Sequence, residues 1–337
     1  MTQSQTCIAD LRDRIVSGMP VSSAYAMTVL GAVDPDELGV VHAHEHLVAH
    51  ATPQLRREEP DFDLSDPEPV LADLTAFRAA GGGAIVEMTT VDYGRDVPAL
   101  AGLSRRSGVA IVAATGFNKD IYCEARCAGE EPDALAAVQI AEVTEGVGGS
   151  GIRCGVVKFA TGADGPSRGE ANAARAAALT HRATGCPVLT HTEGGAYAHG
   201  QLELMAGLGV APSAITLGHM DRMPDLGLHR ELAQAGAFVS YDHLPKAKYA
   251  TESGAIDLIV ALAREGLHEQ VVVGGDFARR SMFTGWGGGP GLTYISEVFA
   301  PRLRAAASSG GLDGGDVVDA VLRRNPARAL TFRPVSG

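Results

Sequence analysis

Residues 39–47 read GVVHAHEHL, an apolar, β-branched run opened by glycine in which His42, His44 and His46 alternate with other residues. The period of two predicts a strand, and a buried imidazole on it needs a partner to offset its desolvation. Alone, the stretch leaves two readings open: a metal-binding strand, or a histidine-rich strand whose polar face meets water. What decides the fold is recurrence. Similar runs follow at GAIVEMTT (83–90), VAIVAATG (109–116), GIRCGVVKFATG (151–162), PVLTHTEGG (187–195), AITLGHMDR (214–222), GAFVSYDHL (236–244) and QVVVGGDFA (270–278). Turn residues bound them, and Ala/Leu-rich segments of helical period, such as ANAARAAALTHRATG (171–185) and GAIDLIVALAREG (254–266), stand between them. Eight strands alternating with helices predict an α/β protein, a (β/α)8 TIM barrel. The predicted strand ends, near His46, Thr89, Thr115, Lys158, His191, His219, Asp242 and Asp276, lie 23 to 43 residues apart, room for a strand, a helix and two loops each time.

One barrel accounts for nearly all of the chain, so residues 1–337 are read as a single domain, with residues 1–40 as an N-terminal cap. The stretch GWGGGPGLTYI (285–295) is too glycine-rich for a helix and is expected to be a long loop over the site. A balance of 28 basic and 40 acidic residues gives a net charge of −12 with no basic run, which argues against a nucleic-acid or membrane partner and for a small-molecule substrate. The opening MTQSQTCIADLRDRIVSG carries charges where a secretory signal needs an apolar stretch, so a cytoplasmic location is expected. Cys7, Cys123, Cys127, Cys154 and Cys186 are an odd number in a chain with ample core material, and free thiols are expected. Cys123 and Cys127 lack the second pair or nearby histidines that a zinc site would need.

Barrel active sites lie at the carboxyl ends of the strands. Those ends carry His44 and His46, Lys158, His191, His219, His243 and Asp276. Singly, each has an ordinary reading as a solvated or helix-capping residue. Together they would converge on one mouth. His44 and His46 are two apart, so on a strand they point the same way and can hold one ion. His42 shares that face one pleat deeper and is assigned to packing or support. His191, His219 and Asp276 complete a nitrogen-and-oxygen set suited to zinc, manganese or cobalt.

The segments AHEHL, TTVDYGRDVPAL, IVAATGF, GIRCGVVKFATG, PVLTHTEGG, ITLGHMDR, YDHLP, GGDFARRS and NPARAL, in order along the chain, resemble the phosphotriesterase family of the amidohydrolase superfamily, with its lactonase and phosphotriesterase-homology branches. The resemblance implies two divalent metal ions, zinc first and cobalt or manganese as alternatives. One would take His44, His46 and Asp276, the other His191 and His219, with a carboxylated Lys158 and a hydroxide bridging them. A neutral lysine amine can capture carbon dioxide to make such a carbamate, whereas an ammonium beside four histidines would oppose metal binding. The family pattern further implies that Asp276 accepts the proton of the attacking hydroxide, and that His243 and Asp221 carry it outward. That His243 merely lines the pocket is the alternative. A homodimer is expected on the same ground.

Departures from the family pattern bear on substrate. The family's phosphotriesterases place a tryptophan where Asn118 stands, so efficient organophosphate hydrolysis is not expected. Its lactonases usually carry a tyrosine there and an arginine after the seventh strand, where this chain has the Asp242–His243 pair. Cations gather on the loops instead: Lys119, Lys246, Lys248, Arg279 and Arg280. They suggest a substrate bearing a carboxylate or phosphate, with Asn118, Lys119, Lys246 and Arg279 as substrate contacts. The other reading pairs these cations with local acids such as Asp120, Asp242 and Glu252. The function expected is a metal-dependent hydrolase that uses a metal-bridging hydroxide on a lactone or carboxylic ester, with weak phosphotriesterase activity as a side reaction. An amidase acting on an N-acyl amino acid with the same site, and a silent barrel used for binding, are the alternatives.

Overall fold

Strands β1 (Ala26–Thr28) and β2 (Gly31–Val33) pair as an antiparallel hairpin ahead of one eight-stranded parallel sheet. That sheet comprises β3 (Val40–Glu45), β4 (Gly82–Glu87), β5 (Ala110–Gly116), β6 (Val156–Thr161), β7 (Val188–Thr192), β8 (Ile215–Gly218), β9 (Phe238–Tyr241) and β10 (Val271–Val273). The strands neighbour one another in chain order, with helices between them, and curl into a nearly closed TIM barrel. The structure, a computed structural model, describes residues 24–249 and 251–333. The first part of the expected cap, the charged N-terminus and Cys7 therefore lie outside the described residues.

The strands are apolar on both faces, as parallel strands covered by helices must be. Val41, Ala84, Val86, Val112, Ala114, Val156 and Leu189 fill the barrel interior. The alternate residues Ile85, Ile111, Val157, Phe159 and Val188 pack outward in the larger core shared with the helices. Helix Arg168–Thr184 shows how its sequence sets its ends: Ser167 and Glu170 form a capping box, and Gly185 stops it with φ 75°. The β1–β2 hairpin covers the amino-terminal end of the barrel, with the Val29 N–H donating to the Ile111 carbonyl at 2.8 Å. Of the expected loop 285–295, residues 287–293 form no helix or strand, while Thr284–Trp286 is a 3-10 turn and helical structure begins at Tyr294. Among the described residues no helix is long and apolar enough to cross a membrane.

Two expectations about side-chain placement are corrected. The pairing of β3 with β4 slips by one residue between His42 and Glu45, a β-bulge. Past it the alternation inverts, so His42 does not share the face of His44 and His46. Its ring turns outward onto Phe77 of helix Pro67–Ala79, 4.6 Å between centroids. Lys158 is likewise not at a strand end. It is the third residue of β6, paired with Leu189 while Ala160 pairs with His191, so it stands one inward position below that histidine. Its long side chain spans the difference.

Candidate active site

At the mouth the first set of donors comes from β3 and the turn after β10. His46 Nε2 lies 3.4 Å and His44 Nε2 3.7 Å from the same oxygen, Oδ1 of Asp276. Two ligands each about 2.1 Å from a tetrahedral zinc ion stand roughly 3.4 Å apart, so this spacing fits a shared ion. His44 Nε2 is moreover buried with no hydrogen-bond partner. An orphaned ring nitrogen aimed at a carboxylate oxygen is the donor arrangement a cation satisfies.

The second set is His191, at the end of β7, and His219, which follows β8 in the left-handed region at φ 63°. Supporting side chains fix every tautomer. Asp242 accepts Nδ1–H from His219 at 2.7 Å and from His44 at 3.2 Å. Thr89 gives its hydroxyl proton to Glu87 at 2.6 Å, so its oxygen accepts Nδ1–H of His46 at 2.8 Å. Glu193 accepts Nε2–H of His191 at 3.4 Å and is itself held by Lys119 at 2.9 Å and Arg222 at 3.5 Å. His44, His46 and His219 thus keep a bare Nε2, and His191 a bare Nδ1. His191 Nδ1 and His219 Nε2 face each other at 2.8 Å, close enough to share a cation or a ring N–H.

Burial lowers the pKa of His44 and of His219 to about 4, against the pull of Asp242, and that of His191 to about 3. All are neutral donors at physiological pH. Lys158 is buried among them, its Nζ donating to the Met88 carbonyl at 3.1 Å rather than to a carboxylate, and burial pulls its pKa below the ordinary lysine value. Gly116 lets β5 pass close by: a Cβ there would stand 2.0 Å from the Lys158 carbonyl oxygen.

Asp276 holds a left-handed backbone at φ 45°, a conformation that costs a non-glycine residue about 1–3 kcal/mol. Its Oδ2 faces His243 Nε2 at 3.3 Å and is paired with Lys246. On the other side of that ring, His243 Nδ1 meets Asp221 Oδ1 at 3.2 Å. Burial alone would lower the pKa of His243, but the bonds to Asp221 and Asp276 hold it up at about 9. Burial would raise Asp276, yet Lys246, His243 and His46 keep it well below the usual carboxylate range.

The mouth opens into a cleft of about 350 Å³ lined by Phe62, Lys246, Tyr249, Asp276, Arg279 and Met282. Of the expected substrate contacts, Lys246 and Arg279 lie in it. Arg279 stacks on Phe62 at 3.7 Å and pairs with Glu59 and Asp61. Lys119 is engaged with Glu193, not with the local Asp120. Asn118 is buried, its Oδ1 accepting the Lys119 N–H, while its own N–H is held by Asp92. Arg280 turns to Asp63 and Trp286. Lys248 and Arg222 flank the ring of Tyr249, each at 4.5 Å. Cys123, Cys127, Cys154 and Cys186 are free and buried, and none joins a metal-ligating group among the described residues.

Sequence reasoning passed over Asp242, Glu193, Glu87 and Thr89 as supports. Thr89 and Asp242 stand at predicted strand ends, and Asp242 and Glu193 lie one or two residues from a predicted site histidine, the signals that could have found them.

Histidines and an aspartate gathered at the carboxyl ends of the barrel strands, with a buried lysine below them, form a donor set that could hold metal ions where barrel enzymes keep their active sites. The chain belongs to the phosphotriesterase family, whose model matches residues 25–330. It is similar to the N-acetyltaurine hydrolase of Salmo salar, 29% identical over 94% of this chain and 100% of that protein. The phospho-furanose lactonase of Mycoplasmopsis agalactiae is 29% identical over 91% of this chain and 92% of its own length. The crystal structure of a lactonase from Listeria monocytogenes matches with a TM-score of 0.87 at 34% identity, covering 92% of this chain and 100% of that one.

Proposed function

We propose that this chain is a metal-dependent hydrolase that opens a lactone or carboxylic ester carrying a carboxylate or phosphate group. The observation that carries the reading is the convergence of His44, His46 and Asp276 beside the facing ring nitrogens of His191 and His219. Two divalent ions, zinc first among them, would be held by these side chains and a carboxylated Lys158. When bound they supply a lowered pKa for a shared water and polarisation of the substrate carbonyl.

The chain's own residues do the rest. Asp276 takes a proton at Oδ2; His243, made neutral by the like charge of the bound ions, receives it at Nε2 and releases its Nδ1 proton to Asp221, across contacts of 3.3 and 3.2 Å. Lys246 and Arg279 exchange their present carboxylate partners for the substrate's anionic group, while Phe62 and Tyr249 enclose its body. The likeness to phospho-furanose lactonases and to a lactonase of known structure supports this substrate class.

A second reading keeps the site and makes the scissile bond an amide, which the likeness to N-acetyltaurine hydrolases favours. A substrate panel on protein reconstituted with zinc, cobalt or manganese and bicarbonate separates the two. It should contain lactones with and without a phosphate group, acyl esters, N-acyl amino acids and phosphotriesters. Phosphorylated or carboxylated lactones should rank first and phosphotriesters last. An N-acyl substrate ranking first would select the amidase, and two bound ions without turnover would select a binding role.

A further inference from the structure

We infer that Glu45, backed by His42, is a positioning residue for Asp276, pinning the left-handed turn that carries that aspartate. The inference rests on the reading of Asp276 as ligand and proton acceptor given above. Glu45 is the middle residue of the HEH triplet, and its two neighbours in the chain point into the mouth. It points the other way, into the seam between β3 and β10, and is fully buried. There its Oε1 accepts the Gly275 N–H and its Oε2 the Phe277 N–H, both at 2.8 Å. The N–H between them, that of Asp276, donates to the His44 carbonyl at 3.0 Å. Three consecutive backbone donors are thus all tied to β3, two of them through one side chain.

The local chemistry is specific to a carboxylate. Each oxygen takes one amide proton, and His42 Nδ1–H donates to Oε1 at 3.0 Å, fixing the carboxylate from behind. Glycine at 275 permits the approach, since a Cβ there would stand 2.1 Å from the Phe277 ring and 3.1 Å from Oε1. A non-glycine residue keeps a positive φ only where its surroundings over-determine it. Among the described residues no ladder of hydrogen bonds joins β3 to β10, so the Glu45 clamp and the Asp276–His44 bond tie the turn to β3, while the Gly274 N–H before it donates to the Tyr241 carbonyl of β9. Released, Asp276 loses the alignment of Oδ1 with His44 and His46 and of Oδ2 with His243. The outward turn of His42 then has a use, since it is the donor that orients Glu45.

Glu45→Gln tests this. The variant is isosteric but sets an amide NH2 against one backbone N–H. In metal-free protein, hydrogen exchange at residues 275–277 should quicken by about tenfold or more, while the strands from β4 to β8 keep their protection. At a free zinc concentration that fills both sites of the wild type, the variant should hold one ion and bind the other about 10- to 100-fold more weakly. Turnover should fall through kcat, with KM little changed. His42→Leu should move all three readouts the same way by less, and carries the comparison if Glu45→Gln does not accumulate as folded protein. Wild-type exchange at 275–277 with both ions retained would overturn the inference, and so would a loss of protection spread over the whole barrel. A wild-type chain that binds no zinc would count against the proposed function instead, with the exchange measurement still deciding the clamp.

Discussion

The Nδ1–H of His219 points at Oδ1 of Asp242 from 2.7 Å, while the other oxygen of that carboxylate faces His44. One buried side chain therefore orients a histidine from each of the two donor sets. Asp242→Asn removes an acceptor and turns an amide N–H toward a ring N–H. Affinity for both ions should fall together, by about 10- to 100-fold. Glu193→Gln, which among the ligating histidines touches His191 alone, should weaken one ion and not the other. Competition with a chromophoric chelator measures both constants.

Asp276 is asked to hold an ion through one oxygen and to accept a proton through the other. In Asp276→Asn the second task is lost outright, because an amide has no carboxylate lone pair to receive the proton. The expected loss is about 100- to 10,000-fold in kcat on the best substrate of the panel. Circular dichroism should be unchanged. A near-native kcat would remove the role assigned to this residue.

How much of this was legible in the chain depended on whether a contact is local. The period of two in GVVHAHEHL and its recurrence were enough to place His44 and His46 together. The rule that barrel sites lie at strand ends then collected His191, His219, His243 and Asp276 from positions far apart. The orientation of His42 was not legible, because the bulge that inverts it exists only in the register of β3 against β4. Arg279 read as a free cation because its partners, Glu59 and Asp61, lie on the loop after the first barrel strand. Asn118 read as a substrate contact, yet it is buried and its oxygen accepts the next backbone N–H. Glu45 looks in sequence like any other acid and Asp242 like one more strand end, and only the geometry around them assigns their partners.

Lys158 is buried with the Met88 carbonyl as its one hydrogen-bond acceptor among the described residues, and burial favours its neutral amine. A neutral amine is the form that reacts with carbon dioxide. Lys158→Ala should therefore abolish the binding of both ions at concentrations that saturate the wild type, and activity with it. Millimolar formate or acetate should restore part of each by supplying two oxygens in the vacated space. Elemental analysis with and without the added acid reads the result. Full metal content in the unrescued variant would exclude a bridging lysine.

Arg95 provides a test of stability away from the reacting atoms. Its guanidinium is almost wholly buried and grips both oxygens of Glu142, at 2.7 and 2.9 Å, while donating to the Ala114 carbonyl at 2.7 Å. Thr115 completes the cluster with a 2.6 Å bond to the same carboxylate. These contacts tie the end of β5 to helix Pro132–Thr144. Arg95→Met leaves the largely enclosed Glu142 without a counter-charge, which should cost about 3 kcal/mol in urea unfolding. The double variant Arg95→Met, Glu142→Leu removes both charges and should recover most of that loss, because what destabilises is the unpaired carboxylate and not the absence of the pair. If the double variant is as unstable as Arg95→Met alone, the bonds to Ala114 and Thr115 carry the stability instead.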